Sequence, residues 1–128
     1  MRFGAALALG RDSLLGEATT FLRLCMDFAL SEEQTAIFDL AATFGTEHIA
    51  AHARAWEAEG TIPRALWSKI ADLGFGGLNV SEAAGGTDLT RLDATLVFEA
   101  LSGSCASVAA FLSIHNMCAR MIDVFGSD

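Results

Sequence analysis

From residue 31 onward the apolar positions recur every three or four residues, the period of helices that bury one face. Ser31-Glu32-Glu33-Gln34 has the form of a capping box, in which the serine hydroxyl accepts the Gln34 amide and the glutamine side chain returns to the serine amide. A helix is expected to start there, with Ile37, Leu40, Ala41, Phe44 and His48 on its stripe and Glu33, Asp39 and Glu47 off it. It can continue, with or without a break, through residues 50–56 until Gly60 ends it. Pro63 suits the first turn of a second helix, where a missing amide costs nothing, and Leu66, Trp67, Ile70 and Leu73 make its stripe up to Gly74. Thr90-x-x-Asp93 resembles another capping box. The helix behind it carries Leu92, Leu96, Val97, Phe98, Ala100 and Leu101 around so much of its circumference that both sides should be covered. After Ser102-Gly103-Ser104, a last helix is expected from about Cys105 to Phe125, with Val108, Phe111, Leu112, His115, Cys118, Ala119, Ile122 and Phe125 at helical steps.

Between the second and third helices, Gly74, Gly76, Gly77, Gly85 and Gly86 bracket Leu78-Asn79-Val80, a run too short to found a sheet. An ordered connector is the expectation. No segment alternates strictly, and no repeat or low-complexity tract appears. The fold class expected is all-α, an orthogonal or up-down bundle of four or more helices.

Apolar residues make up 52% of the 128 positions and charged residues 19%, which argues against disorder and for a helix-packed interior with surface to spare for a partner. A net charge of −8, with Arg54, Arg64, Lys69, Arg91 and Arg120 scattered, lacks the concentrated positive charge that phosphate backbones require. Nucleic acid is set aside. Cys25, Cys105 and Cys118 have no C-x-x-C spacing and cannot all pair, so free thiols in a reducing compartment are expected. The uncharged stretch 101–119 has helix length, but its serines, His115 and Asn116 favour a helix buried in protein over a membrane span.

The chemistry-bearing groups are sparse. His48 and His52 stand four apart, but Glu47 precedes the first and Ile49 follows it, against the metalloprotease order, and no third ligand is evident. Ordinary surface histidines are expected, and no metal. Gly74-Phe75-Gly76-Gly77 lacks the preceding strand, the following helix and the third glycine of a nucleotide loop. Only His115 lies within helical reach of Cys105 or Cys118, an arrangement more typical of packing than of an activated thiol. Ser113, His115 and Asn116 sit on an apolar helix, where unpaired burial costs a few kcal/mol each. They either hydrogen-bond within the bundle or to a further portion of the protein, or border a ligand pocket. No catalytic apparatus emerges from spacing.

Residues 1–25 contain Arg2, Arg11 and Arg23 but also Asp12 and Glu17, and the acids speak against a mitochondrial leader. The expectation is a leader or an upstream-start extension ahead of Met26, with one domain over 26–128.

The residues 26–34 (Met-Asp-Phe-Ala-Leu-Ser-Glu-Glu-Gln), 73–89 (Leu-Gly-Phe-Gly-Gly-Leu-Asn-Val-Ser-Glu-Ala-Ala-Gly-Gly-Thr-Asp-Leu) and 98–101 (Phe-Glu-Ala-Leu) resemble the N-terminal landmarks of the acyl-CoA dehydrogenase family. Ser113-Ile114-His115-Asn116-Met117, with Arg91-Leu92-Asp93-Ala94 before it, is most similar to its short branched-chain, isobutyryl-CoA branch. The likeness covers 26–126. Two positions depart from it: Ser81 stands where the family usually has proline, and Asp88 where it usually has a glycine, which points to a positive φ that aspartate tolerates better than most residues.

The resemblance implies a larger FAD enzyme of fatty acid or branched-chain amino acid catabolism, with this helical domain, a middle β domain and a C-terminal helical domain. It implies α,β-dehydrogenation of acyl-CoA, with a glutamate taking the α-proton and flavin the β-hydride, electrons leaving through electron-transferring flavoprotein, and a homotetramer. The base and most FAD contacts belong to the other two domains, so none of Glu47, Glu57, Glu59, Glu82 or Glu99 is assigned as base, and this chain alone is expected to be inactive. What the family's N-terminal domain supplies is one wall of the acyl pocket, matched here by Ala110, Ser113, Ile114 and Met117, which share a helix face at 3-1-3 spacing. The resemblance further suggests a bacterial cytoplasmic location, or alternatively the mitochondrial matrix. The competing expectation is a stand-alone helical interaction module without catalysis.

Overall fold

The computed structural model describes residues 28–127, and the expected leader or extension over 1–25, with Cys25, lies outside them. The described residues form five α-helices and two short 3-10 turns and contain no strand: α1 Glu32–His48, α2 Ala53–Glu59, α3 Arg64–Asp72, the 3-10 turns Phe75–Gly77 and Glu82–Ala84, α4 Arg91–Ser102 and α5 Ala106–Phe125. The all-α expectation holds.

Both capping boxes form. The Ser31 amide donates to Gln34 Oε1 at 3.0 Å and the Gln34 amide to Ser31 Oγ at 3.1 Å, while the Thr90 amide donates to Asp93 Oδ2 at 3.0 Å and the Asp93 amide to Thr90 Oγ1 at 3.3 Å. The two boxes also meet, because Gln34 Nε2 donates to Asp93 Oδ1 at 3.1 Å, which sets the starts of α1 and α4 side by side. The Thr90 hydroxyl above all, and the Gln34 amide, hold the Asp93 carboxyl below the usual carboxylate range. A carboxylate whose folded pKa is depressed stabilises the fold fully above the unfolded value of about 3.9 and loses that contribution as pH falls through the folded value. The urea midpoint of the chain should therefore fall on acidification below about pH 5, and Asp93→Asn should flatten that acid limb. An unchanged limb in the variant would remove Asp93 from the account.

The long first helix breaks at residues 49–52, with Ile49 fully buried at the break and Gly60 closing α2 in the left-handed region at φ 67°. Pro63 stands just ahead of α3 rather than inside it, with its carbonyl accepting the Leu66 amide. Leu66 and Ile70 are buried, and Trp67 and Leu73 pack partly against the core.

α4 is central, as its apolar circumference foretold, lying between α1 and α5. Ala41 and Phe44 of α1, Ala94, Val97, Ala100 and Leu101 of α4, and Val108, Ala109 and Leu112 of α5 form one cluster with Leu66, Ile70, Phe75 and Leu78. Three stripe assignments need correction. Leu40 is 47% exposed, because Ala41 and Gly45 centre the α1 contact and a neighbouring residue sits about 100° away on a helix. Leu92 lies on the outer side of the first turn of α4 and is exposed. On α5, Phe111, His115, Cys118, Ile122 and Phe125 are exposed, because α4 and the connector cover only the side that carries Val108, Ala109, Leu112 and Asn116.

Candidate functional site

α5 is apolar all the way round, yet only one side of it is packed. At about 100° per residue, Val108, Ala109, Leu112 and Asn116 define the inner face. Ala110, Ile114, Met117, Met121, Val124 and Phe125 run down the opposite one, all exposed. Ile114 at 58%, Met117 at 56% and Phe125 at 81% exposure make this a continuous bare strip, and contiguous exposed apolar side chains of this kind mark an interaction or ligand surface. The stretch 101–119 was expected to be a buried helix, and that is corrected: the last helix is 20 residues with mean hydropathy 1.3, and 22% of its apolar window is buried. Length and composition alone would let it cross a membrane, but it carries the Arg120–Asp123 ion pair at 2.9 Å in its last turns.

Beside the strip, between α5, the start of α4 and the connector, lies an open groove of about 810 Å³. Ser113, Met117 and Met121 form one flank and Asn79, Leu89 and Thr90 the other. Of the four residues assigned to a pocket wall, Ser113 and Met117 face this groove, whereas Ala110 and Ile114 lie on the open strip outside it. Ser113 Oγ donates to the Ala110 carbonyl at 2.8 Å, so its hydroxyl is already engaged within the helix.

Two polar side chains of the inner face hold the connector. Asn116, 2% exposed, accepts the Leu78 amide on Oδ1 at 2.7 Å and donates from Nδ2 to the carbonyls of Phe75 at 2.9 Å and Leu112 at 3.0 Å. It is satisfied inside the bundle, and no buried side-chain nitrogen or oxygen among the described residues lacks a partner. In the last turn of α5, Asp123 accepts the Ser81 amide on Oδ2 at 3.1 Å and the Ser81 hydroxyl on Oδ1 at 2.8 Å. The Ser81 hydroxyl and amide, with Arg120 beyond them, hold the Asp123 carboxyl below the usual range. Nothing in the sequence pattern singled out Asp123; the signal available was Ser81, where proline would have had no amide to donate. Asp88 does take a positive φ, 49°, and its amide donates to the Val80 carbonyl at 2.9 Å.

The remaining constellations resolve into packing. His48 ends α1 with its ring against Phe44, and His52 precedes α2 stacked on Trp56, so the break places the two on different helices. No group of three or more metal-type side chains gathers among the described residues. Phe75 of the glycine turn is buried at 2% exposure, which makes the turn a packing device. Cys105 and Cys118 are free thiols; Cys118 is exposed and so is no packing neighbour. His115, also exposed, needs no internal partner, and it borders a small apolar hollow of about 240 Å³ with Trp67, Ile70 and Phe111.

The sequence profile of the acyl-CoA dehydrogenase N-terminal domain matches residues 31–128. The chain belongs to that family. Mitochondrial isobutyryl-CoA dehydrogenase of Dictyostelium discoideum is 42% identical to it over 99 residues, 77% of this chain and 24% of that protein. The bovine (Bos taurus) mitochondrial isobutyryl-CoA dehydrogenase is 42% identical over 106 residues, 81% of this chain and 26% of that protein. A solved structure described as PigA with FAD and proline superposes with a TM-score of 0.72 at 31% identity, covering 80% of this chain and 28% of that one. The chain thus spans about a quarter of the length of the curated relatives it matches. Seen as this family's N-terminal domain, α5 has a packed side that belongs to the bundle and a bare side that faces outward from it.

Proposed function

We propose that residues 26–128 are the N-terminal helical domain of an FAD-dependent acyl-CoA dehydrogenase that oxidises a short, branched acyl-CoA to its 2,3-enoyl form, and that the outer face of α5 is one wall of the acyl pocket. The observation that carries this is the bare strip itself, with Ala110, Ile114 and Met117 on it and the half-buried Ser113 at its edge in the groove, in a chain similar over most of its length to two isobutyryl-CoA dehydrogenases. The strip offers hydrocarbon, and the hydroxyl at its edge, on Ser113, is already bonded to the Ala110 carbonyl. That suits an acyl chain and does not suit the ribityl and diphosphate of FAD, so most FAD contacts and the glutamate base are assigned to the other domains. Flavin supplies the hydride acceptor when bound. The residues of this chain exclude water and gauge the acyl chain, and one methylene in such a pocket is worth about 1–3 kcal/mol. Electron-transferring flavoprotein as acceptor and a homotetramer belong to the same proposal. So does a reducing compartment, bacterial cytoplasm or mitochondrial matrix, which suits the free Cys105 and Cys118.

The test joins residues 26–128 to the part of the bovine relative that follows its matched segment and follows dye reduction by isobutyryl-CoA and by straight-chain acyl-CoAs. Turnover with preference for isobutyryl-CoA is expected, and Met117→Ala should shift kcat/KM toward longer chains by about tenfold. A soluble, flavin-loaded hybrid that oxidises no acyl-CoA would end this reading. The same bare strip then favours the second one, an interaction module that docks a partner helix.

A further inference from the structure

We propose that Asp123 is a positioning residue for acyl selectivity: by clasping Ser81 it fixes the connector against α5 and so sets the width of the groove beside Met117. The inference rests on the dehydrogenase reading above. Asn116 and Asp123 are two helical turns apart on α5 and act on neighbouring parts of the connector, one on Phe75 and Leu78, the other on Ser81. Asn116 holds the buried end. Asp123, whose side chain is 11% exposed, holds the outer end through both carboxylate oxygens, and Arg120 donates to Oδ2 at 2.9 Å from the groove side. Hydrogen bonds to an ionised acceptor are about twice as strong as neutral ones, so this is a firm attachment for a segment with little regular structure.

Movement at Ser81 would travel across the groove's far flank. Asp88 donates its amide to the Val80 carbonyl at 2.9 Å, the Leu89 amide donates to Leu78 at 2.7 Å, and Asn79 Nδ2 donates to the Leu89 carbonyl at 2.8 Å. The two arms of the connector are thus laced together, and Asn79, Leu89 and Thr90 stand opposite Ser113 and Met117. A connector released at Ser81 lets that flank move away from α5 and admits a bulkier acyl chain.

The experiment uses the reconstituted hybrid enzyme with Asp123→Ala, Ser81→Ala, the double variant and Asp123→Asn, each loaded with flavin. The readout is the ratio of kcat/KM for isobutyryl-CoA to that for n-hexanoyl-CoA. Asp123→Ala should lower it about tenfold through KM, with kcat for isobutyryl-CoA nearly unchanged. Ser81→Ala should lower it less, the double variant should match Asp123→Ala, and Asp123→Asn, which keeps one acceptor oxygen, should restore most of the preference. An unchanged ratio in Asp123→Ala, or additive effects in the double variant, overturns the inference while leaving the dehydrogenase reading intact. Should Asp123→Ala not fold, an unchanged ratio in Ser81→Ala decides against it in the same way. An unmodified hybrid inert toward every acyl-CoA ends both.

Discussion

Replacing Asn116 with alanine should lower the unfolding free energy of the chain by about 3 kcal/mol, because it leaves two buried backbone groups without partners at about 1–3 kcal/mol each. The Leu78 amide loses its acceptor at 2.7 Å and the Phe75 carbonyl its donor at 2.9 Å. The Leu112 carbonyl, the third partner, lies within α5 and suffers least. Asn116→Leu would refill the volume but not the hydrogen bonds, so it should recover little. Asn116→Asp keeps an acceptor for Leu78 but sets a carboxylate against the Phe75 and Leu112 carbonyls; it should be as damaging as alanine at neutral pH and recover in part when protonated. Urea unfolding of the four proteins, followed by helical circular dichroism, gives the comparison. A loss below about 1 kcal/mol for Asn116→Ala would mean that the connector finds other partners.

Part of this arrangement was legible in the sequence and part was not. Helix starts were legible because a capping box is a local device: Ser31 with Gln34, and Thr90 with Asp93, close their hydrogen bonds within three residues. The centrality of α4 was legible because too much of its circumference is apolar for one-sided packing. The buried side of α5 was not, since a helix apolar all round carries no internal sign of which half its neighbours cover; hence Phe111, Ile122 and Phe125 stand exposed on a stripe that looked like core. Nor could spacing reveal that Asn116 reaches back 38 residues to Leu78, or Asp123 42 residues to Ser81. The need for some partner to Asn116 followed from the cost of burying an amide; the choice of partner required the fold. Ala110 and Ile114 share the face assigned to them, but their place outside the groove depends on how the connector lies against α5.

Where the two arms of the connector approach most closely, Gly86→Ala should cost about 3 kcal/mol, whereas Gly85→Ala next to it should cost about 1 kcal/mol. Gly85 needs its glycine for conformation alone, at φ 85° with no atom near the place a methyl would occupy. At Gly86 the added methyl would land on the Val80 carbonyl group, backbone that cannot rotate aside. The same carbonyl accepts the Asp88 amide at 2.9 Å, and the next residue, Ser81, is the one Asp123 holds. Displacing Val80 therefore strains the turn at Asp88 and loosens the clasp on α5 together, so Gly86→Ala should also speed amide hydrogen exchange at Ser81 and Leu89 while Gly85→Ala leaves both unchanged. If the two variants lost equal stability with equal exchange, the positive φ at residue 85 would govern the loop. A larger loss confined to Gly86→Ala would locate the constraint in the packing of one connector arm on the other, the contact on which the far flank of the groove depends.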